Sequence, residues 1–219
     1  MFSRYKRIII AISVSCFVLF PVAASASLTP SFTQTINTGT ISSNIYQSDD
    51  VTPVASPTAA FTAQNYSFQC QTSTATLGDT NDKLNVTNLA TGITSWNIAI
   101  AATTGYTATW TSGSNTYNFN NVTGTTAGCT YGQLTVNPSV STITDDCSGS
   151  CTANDSTVSK GASTAFNHAT STDSITLMSD SAGTSWEGYM TGITLSQKIP
   201  ALQAAGSYSL PMTITLTAP

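Results

Sequence analysis

Apolar and polar residues alternate one by one along most of this chain, and the C-terminus carries the clearest case. There Tyr208, Leu210, Met212, Ile214 and Leu216 alternate with Ser209, Pro211, Thr213, Thr215 and Thr217. Period two predicts a strand with one face in a core and the other in water. Pro211 has no backbone N–H to give, so this strand is expected at a sheet edge, or to start or bulge at that residue. The same alternation predicts strands through Leu84 and Val86, then Trp96, Ile98 and Ile100, then Tyr106, Ala108 and Trp110. Ser112-Gly113-Ser114-Asn115 supplies turn residues between Trp110 and the Tyr117, Phe119 run, which predicts a hairpin. Further strands are expected over Gln133 to Val136, Ser174 to Met178, and Trp186 to Leu195, the last broken or bent by Gly183, Gly188 and Gly192.

No window of a dozen residues carries a helical stripe, so the pattern predicts an all-β chain. About eight to ten short strands fit a single antiparallel β-sandwich of Ig-like or Greek-key type over residues 59–219. Ahead of it, residues 27–58 read as an N-terminal strand near Phe32 to Ile41 and a linker, Asp49 to Thr58, that contains Pro53 and Pro57.

Residues 1–26 read as a secretory signal. Arg4, Lys6 and Arg7 precede an apolar stretch from Ile8 to Phe20, and Ala24-Ser25-Ala26 is a small-residue site with cleavage expected after Ala26. That stretch is shorter than the roughly 20 residues a membrane-spanning helix needs, so no membrane anchor is expected in the mature chain. Cys16 leaves with the signal.

Export changes the charge balance and the meaning of the cysteines. Of 219 residues, 219 − 26 = 193 remain, with Lys83, Lys160 and Lys198 against ten acidic residues, a net charge of 3 − 10 = −7. Phosphate backbones and anionic lipid both call for clustered Lys and Arg, so nucleic acid is excluded as a partner. Ser and Thr make up 66 of those 193 residues, an uncharged but hydrophilic surface suited to a secreted, extracellular location. Cys70, Cys129, Cys147 and Cys151 form an even set in an oxidising compartment, where two disulfides are expected. Four cysteines allow three connectivities. Cys147 with Cys151 and Cys70 with Cys129 is one, and Cys129 with one of the later pair is the alternative.

Catalysis needs titratable groups around a substrate, and the chain has one His and one Glu. His168 follows Phe166 and Asn167 in a polar segment, and no Ser-His-Asp order or Gly-x-Ser-x-Gly elbow accompanies it. Glu187 and the nine Asp lie mostly in turn-forming sequence, so no enzyme is expected and no cofactor beyond a candidate calcium ion. Asp79, Asn81 and Asp82 form one compact set of oxygen ligands. Asp145, Asp146, Asn154 and Asp155 flank the cysteine loop as a second. Both sets also suit ordinary Asx turns. Among the aromatic residues, Trp96 and Trp110 keep period with apolar neighbours and are expected in the core. Trp186, Tyr106 and Tyr117 could stack on sugars if exposed, though such residues are more often core, and Tyr131 and Tyr189, beside glycines, are the better candidates for a surface that stacks on sugars.

Ser95-Trp96-Asn97-Ile98-Ala99-Ile100 resembles the first signature of W-x-L-type bacterial surface domains, with Ile98 where that family carries Leu. Thr213-Ile214-Thr215-Leu216-Thr217-Ala218-Pro219 resembles the second, with Ile214 in the place of its Trp. Gly192 to Pro200, followed by Ala205-Gly206-Ser207-Tyr208, also resembles the closing strands of secreted pilus-type β-sandwich subunits. The resemblance covers roughly Leu84 to the end and makes Trp96, Ile98, Ile214 and Leu216 signature core positions. It implies an exported, non-enzymatic module of a cell surface, held without covalent attachment to cell-wall polymer or to other surface proteins. Two rival expectations stand beside it. One is a self-associating fimbrial subunit that adds Phe32 to Ile41 as a strand to a neighbour's sheet, and the other is a calcium-dependent glycan adhesin.

Overall fold

A computed structural model of the chain describes residue 34 and residues 39–121, 131–146, 157–170 and 172–219. The chain divides into two units, Met1–Ile36 and Asn37–Pro219, and all described residues except residue 34 belong to the second. The signal segment, its cleavage site after Ala26, most of Phe32 to Ile41, Cys129, Cys147, Cys151, Asn154 and Asp155 lie outside the described residues.

The second unit is an all-β antiparallel sandwich. One sheet runs in the order β1 (Ile41–Tyr46), β3 (Lys83–Asn88), β12 (Trp186–Thr191), β8 (Thr142–Asp145). Another runs β10 (Thr164–Ala165), β7 (Gln133–Asn137), β13 (Ile193–Ile199), β2 (Gln71–Leu77). The third runs β14 (Met212–Thr217), β4 (Trp96–Ala102), β11 (Ser174–Asp180), β9 (Val158–Lys160), and β5 (Thr109–Ser112) with β6 (Asn115–Asn118) forms a hairpin.

The first two sheets are built from the same three chain segments in the same order. β2 continues into β3, β12 into β13, and β7 into β8, so β7-β13-β2 on one side of a bend becomes β8-β12-β3 on the other. Gly78 (φ 82) and Gly192 (φ 80) make the bend, and the Gly192 N–H donates to the Gly78 carbonyl at 2.8 Å. Side chains other than glycine avoid such positive φ values. A Cβ on Gly78 would also stand 3.2 Å from the Thr191 Cα. In the third segment, Pro138–Val140 turns the corner as one turn of 3-10 helix.

Alternation fills the interior. Trp96, Ile98, Ile100 and Ala102 of β4 point inward, as do Ile175, Leu177 and Met178 of β11 and Ile193 and Leu195 of β13. Trp96 stacks on Trp186 of β12 with ring centroids 5.8 Å apart, and Phe119 meets Phe166 edge-on at 5.1 Å. Fully burying one such large apolar side chain contributes about 1.5–3 kcal/mol. Lys83 is buried on β3 because its ammonium is 2.8 Å from both Asp50 carboxylate oxygens and lies 4.5 Å above the Tyr189 ring.

Three segments differ from the sequence reading. Tyr106 sits in a 3-10 turn, Gly105–Thr107, so the strand toward Trp110 begins only at Thr109. β1 begins at Ile41, where the N-terminal strand was expected to end. The first part of the expected linker folds back along β1. Tyr46 bridges Pro53 and the Val54 N–H donates to the Ile45 carbonyl at 2.8 Å, while Asp49 accepts from the Val51 and Thr52 N–H groups inside the turn.

Candidate binding surface

Among the described residues, the carboxylates of Asp79 and Asp145 serve local structure. Asp79 Oδ1 accepts the backbone N–H groups of Asn81 (2.6 Å) and Asp82 (3.1 Å), closing an Asx turn between β2 and β3. Asp145 Oδ1 accepts the indole N–H of buried Trp186 at 2.7 Å, and the Asp146 N–H donates to the Glu187 carbonyl. Among the described residues no three His, Cys, Asp or Glu side chains group so as to hold a metal ion. His168 lies on the exposed side, stacked on Tyr106 with centroids 4.9 Å apart. Glu187 receives the Thr87 hydroxyl at 3.4 Å, on the neighbouring strand. Cys70 is disulfide-bonded. Its pairing lies outside the described residues.

The four signature positions fall in one sheet. Trp96 and Ile98 are buried on β4, and Ile214 and Leu216 are half-buried on the edge strand β14, directly opposite Ile100 and Ile98. β14 starts one residue after Pro211, so the proline stands just ahead of an edge strand. Trp110 and Trp186 are core residues, and Trp110 donates its indole N–H to buried Gln197 at 2.8 Å. Tyr106 and Tyr131 are exposed, whereas Tyr189 is half-buried beneath Lys83. Burial, and secondarily the neighbouring Tyr208, raise the ionisation of the Tyr117 hydroxyl well above the usual tyrosine range.

The outward positions of the sheets form rows that the sequence reading treated only as wet faces. On β2, Thr72, Thr74 and Thr76 are exposed, and register sets them opposite Lys198, Ser196 and Thr194 of β13. Those residues in turn face Gln133, Thr135 and Asn137 of β7. A shallow groove of about 740 Å³ follows this face, bounded by Thr58, Thr62 and the Gly78 to Asp82 turn. On the third sheet, Thr213, Thr215 and Thr217 of β14 stand opposite Ala101, Ala99 and Asn97 of β4. Ser174, Thr176 and Ser179 of β11 lie on the far side of those same residues. Such rows offer donors and acceptors at strand spacing with almost no charge.

Fold and faces together define an antiparallel β-sandwich with hydroxyl-rich and amide-rich outer surfaces. The chain matches no family model, and no curated protein or solved structure is significantly similar to it.

Proposed function

We propose that the chain is an exported, non-enzymatic structural module of a bacterial-type cell surface, associated through its sheet faces with cell-wall polymer or with other surface proteins. The observation that carries this reading is the in-register array of Thr, Ser, Asn and Gln on the outer faces of two sheets. Polymers rich in hydroxyl and amide groups are matched by neutral donors and acceptors, which need no buried ion pair to be satisfied. Residues 27–219 are expected to sediment with purified peptidoglycan sacculi and to elute as a monomer on size exclusion. Soluble multimers with no sedimentation would overturn it.

A second reading, the strand-adding subunit, draws support from β14. It ends its sheet and carries half-buried Met212, Ile214 and Leu216 beside an edge with no ladder partner among the described residues. That reading predicts heat-resistant multimers that vanish when Phe32 to Ile41 is deleted. A third, calcium-dependent glycan adhesion, predicts a melting temperature that falls in chelator, and an unchanged one removes it.

A further inference from the structure

A separate cleft opens between residues 64–71, which lead into β2, and residues 199–208, which connect β13 to β14. It holds about 160 Å³, and its walls include Tyr66, Tyr117, Tyr208, Gln64, Gln71 and Gln203, with no charged side chain among the described residues that line it. Its volume is below the roughly 300–1,000 Å³ of pockets that enclose drug-sized ligands, so it suits a single ring at a time.

The walls are held in place by hydrogen bonds and ring contacts, and Tyr66, Tyr117 and Tyr208 line the opening. The Tyr208 hydroxyl accepts from Gln203 Nε2 and donates to the Ala204 carbonyl, both at 2.7 Å, which fixes the 203–208 loop. Tyr117 packs between Trp110, nearly parallel at 6.0 Å, and Tyr208, edge-on at 5.1 Å. Across the cleft, the Leu202 N–H donates to the Ser67 carbonyl at 2.8 Å while Leu202 itself holds a φ of 60°. A leucine in that region is kept there only by the structure around it. At the lip, Tyr66 and Phe68 meet edge-on at 5.8 Å and are 58% and 81% exposed. Two large rings left in water beside a concavity mark a contact surface rather than a piece of core.

We infer that this cleft is a subsite for a neutral saccharide. A pyranose ring has an apolar C–H face and a rim of hydroxyls. Aromatic faces cover the first at low entropic cost, and carboxamides give both donors and acceptors to the second. Tyr66 and Tyr117 supply the aromatic surface, and Gln64, Gln71 and Gln203 supply the amides. An uncharged lining selects neutral over acidic sugars, because a carboxylate brought here loses water without gaining a cation. This inference deepens the wall-polymer reading and rests on it for the source of the glycan.

The test applies the full chain, and its Tyr66→Ala, Gln64→Ala and Gln203→Ala variants, to an array of neutral and acidic glycans and to sacculi, with melting temperatures as the folding control. Tyr66 and Gln64 lie on exposed chain, so their variants keep the fold even if Gln203→Ala loosens its loop. The expected result is retention on neutral glycans, weakened at least about tenfold in Tyr66→Ala and Gln64→Ala. Retention on acidic glycans alone, on none, or equally by wild type and both variants overturns the inference. Variants that bind neutral glycans as wild type does, while wild type and variants alike sediment with sacculi, remove the cleft and leave the wall reading intact. Cleft-dependent glycan binding without sedimentation of wild type does the reverse.

Discussion

Trp96 and Trp186 are stacked, buried indoles that differ in one bond, and replacing each by phenylalanine separates packing from polarity. Trp186 donates to Asp145 Oδ1 at 2.7 Å, whereas Trp96 Nε1 is buried without a hydrogen-bond partner among the described residues. A hydrogen bond to a charged group is worth about 1.5–3 kcal/mol, and removing one partner leaves the other unsatisfied. Each substitution also leaves a void costing about 1 kcal/mol, because the site closes only in part. Closure around Trp186 is hindered, since its ring lies within 2.4 Å of where a Cβ on Gly188 would stand. Trp186→Phe is therefore expected to cost about 2.5–4 kcal/mol and Trp96→Phe about 1 kcal/mol, the latter eased by deletion of an orphaned donor. Urea denaturation measures both, and at about 2–4 °C per kcal/mol the gap is also visible in melting temperature. A double-mutant cycle of Trp186→Phe with Asp145→Ala should give a coupling near 1.5 kcal/mol or above, as contacting residues do. Equal costs for the two tryptophans, with coupling below about 0.5 kcal/mol, would refute the reasoning.

Lys83→Met leaves the Asp50 carboxylate, itself only partly exposed, without its cation, and is expected to cost about 1–3 kcal/mol in the same denaturation assay. Folding raises Lys83, chiefly through its hydrogen bond to Asp50, and raises Tyr117 through burial, from ordinary values of 10.5 and 10.0. Groups raised by folding stabilise fully below their unfolded values and lose that contribution as pH rises through the folded ones. The urea midpoint should therefore hold to about pH 9 and fall by about pH 11, and a flat profile would count against both assignments. Gly188→Ala puts a Cβ 2.5 Å from the Thr144 carbonyl, on backbone that is fixed in the β8–β12 ladder, and should cost about 3 kcal/mol by thermal melting. Leu202→Gly relieves about 1–2 kcal/mol of left-handed strain against about 0.5–1 kcal/mol of glycine entropy, and Leu202 is 55% exposed. A net gain of about 0.5 kcal/mol is expected, visible as a higher urea midpoint.

Alternation was readable wherever large apolar residues marked the inner face. β4 and β14 are such strands, and Gly113, at φ 59 between Ser112 and Asn115, turns the hairpin that its sequence predicts. β2 carries the same period in small residues. Its inward positions are Ser73, Ala75 and Leu77, and Ser73 is tolerated inside because its hydroxyl donates to the Thr62 carbonyl at 2.5 Å. Gly192 was legible as a break between Trp186 and Leu195, but not as the point where one strand leaves a sheet for another. That depends on Gly78, more than a hundred residues earlier.

Sequence distance also hid the surfaces. The Thr rows of β2 and β14 were plain as wet positions, yet what they become depends on which strands register sets beside them. The cleft gathers residues 64–71, Tyr117 and 199–208, of which composition flags only the aromatics. The low charge of the chain links these levels. With three lysines and no arginine after residue 26, several buried polar groups are cross-linked by neutral amides, beside the Lys83–Asp50 ion pair and the Asp145 carboxylate that receives Trp186. Gln197 holds the Trp110 indole, Asn88 holds the Gly183 and Thr184 carbonyls, and Asn120 holds the Tyr106 carbonyl. Gln197 and Asn88 both give and receive, and none of these amides carries the desolvation penalty of an ion. The chemistry that satisfies the interior is therefore the chemistry offered at the sheet faces and in the cleft, which makes neutral, hydroxyl-bearing ligands the natural complement of this surface.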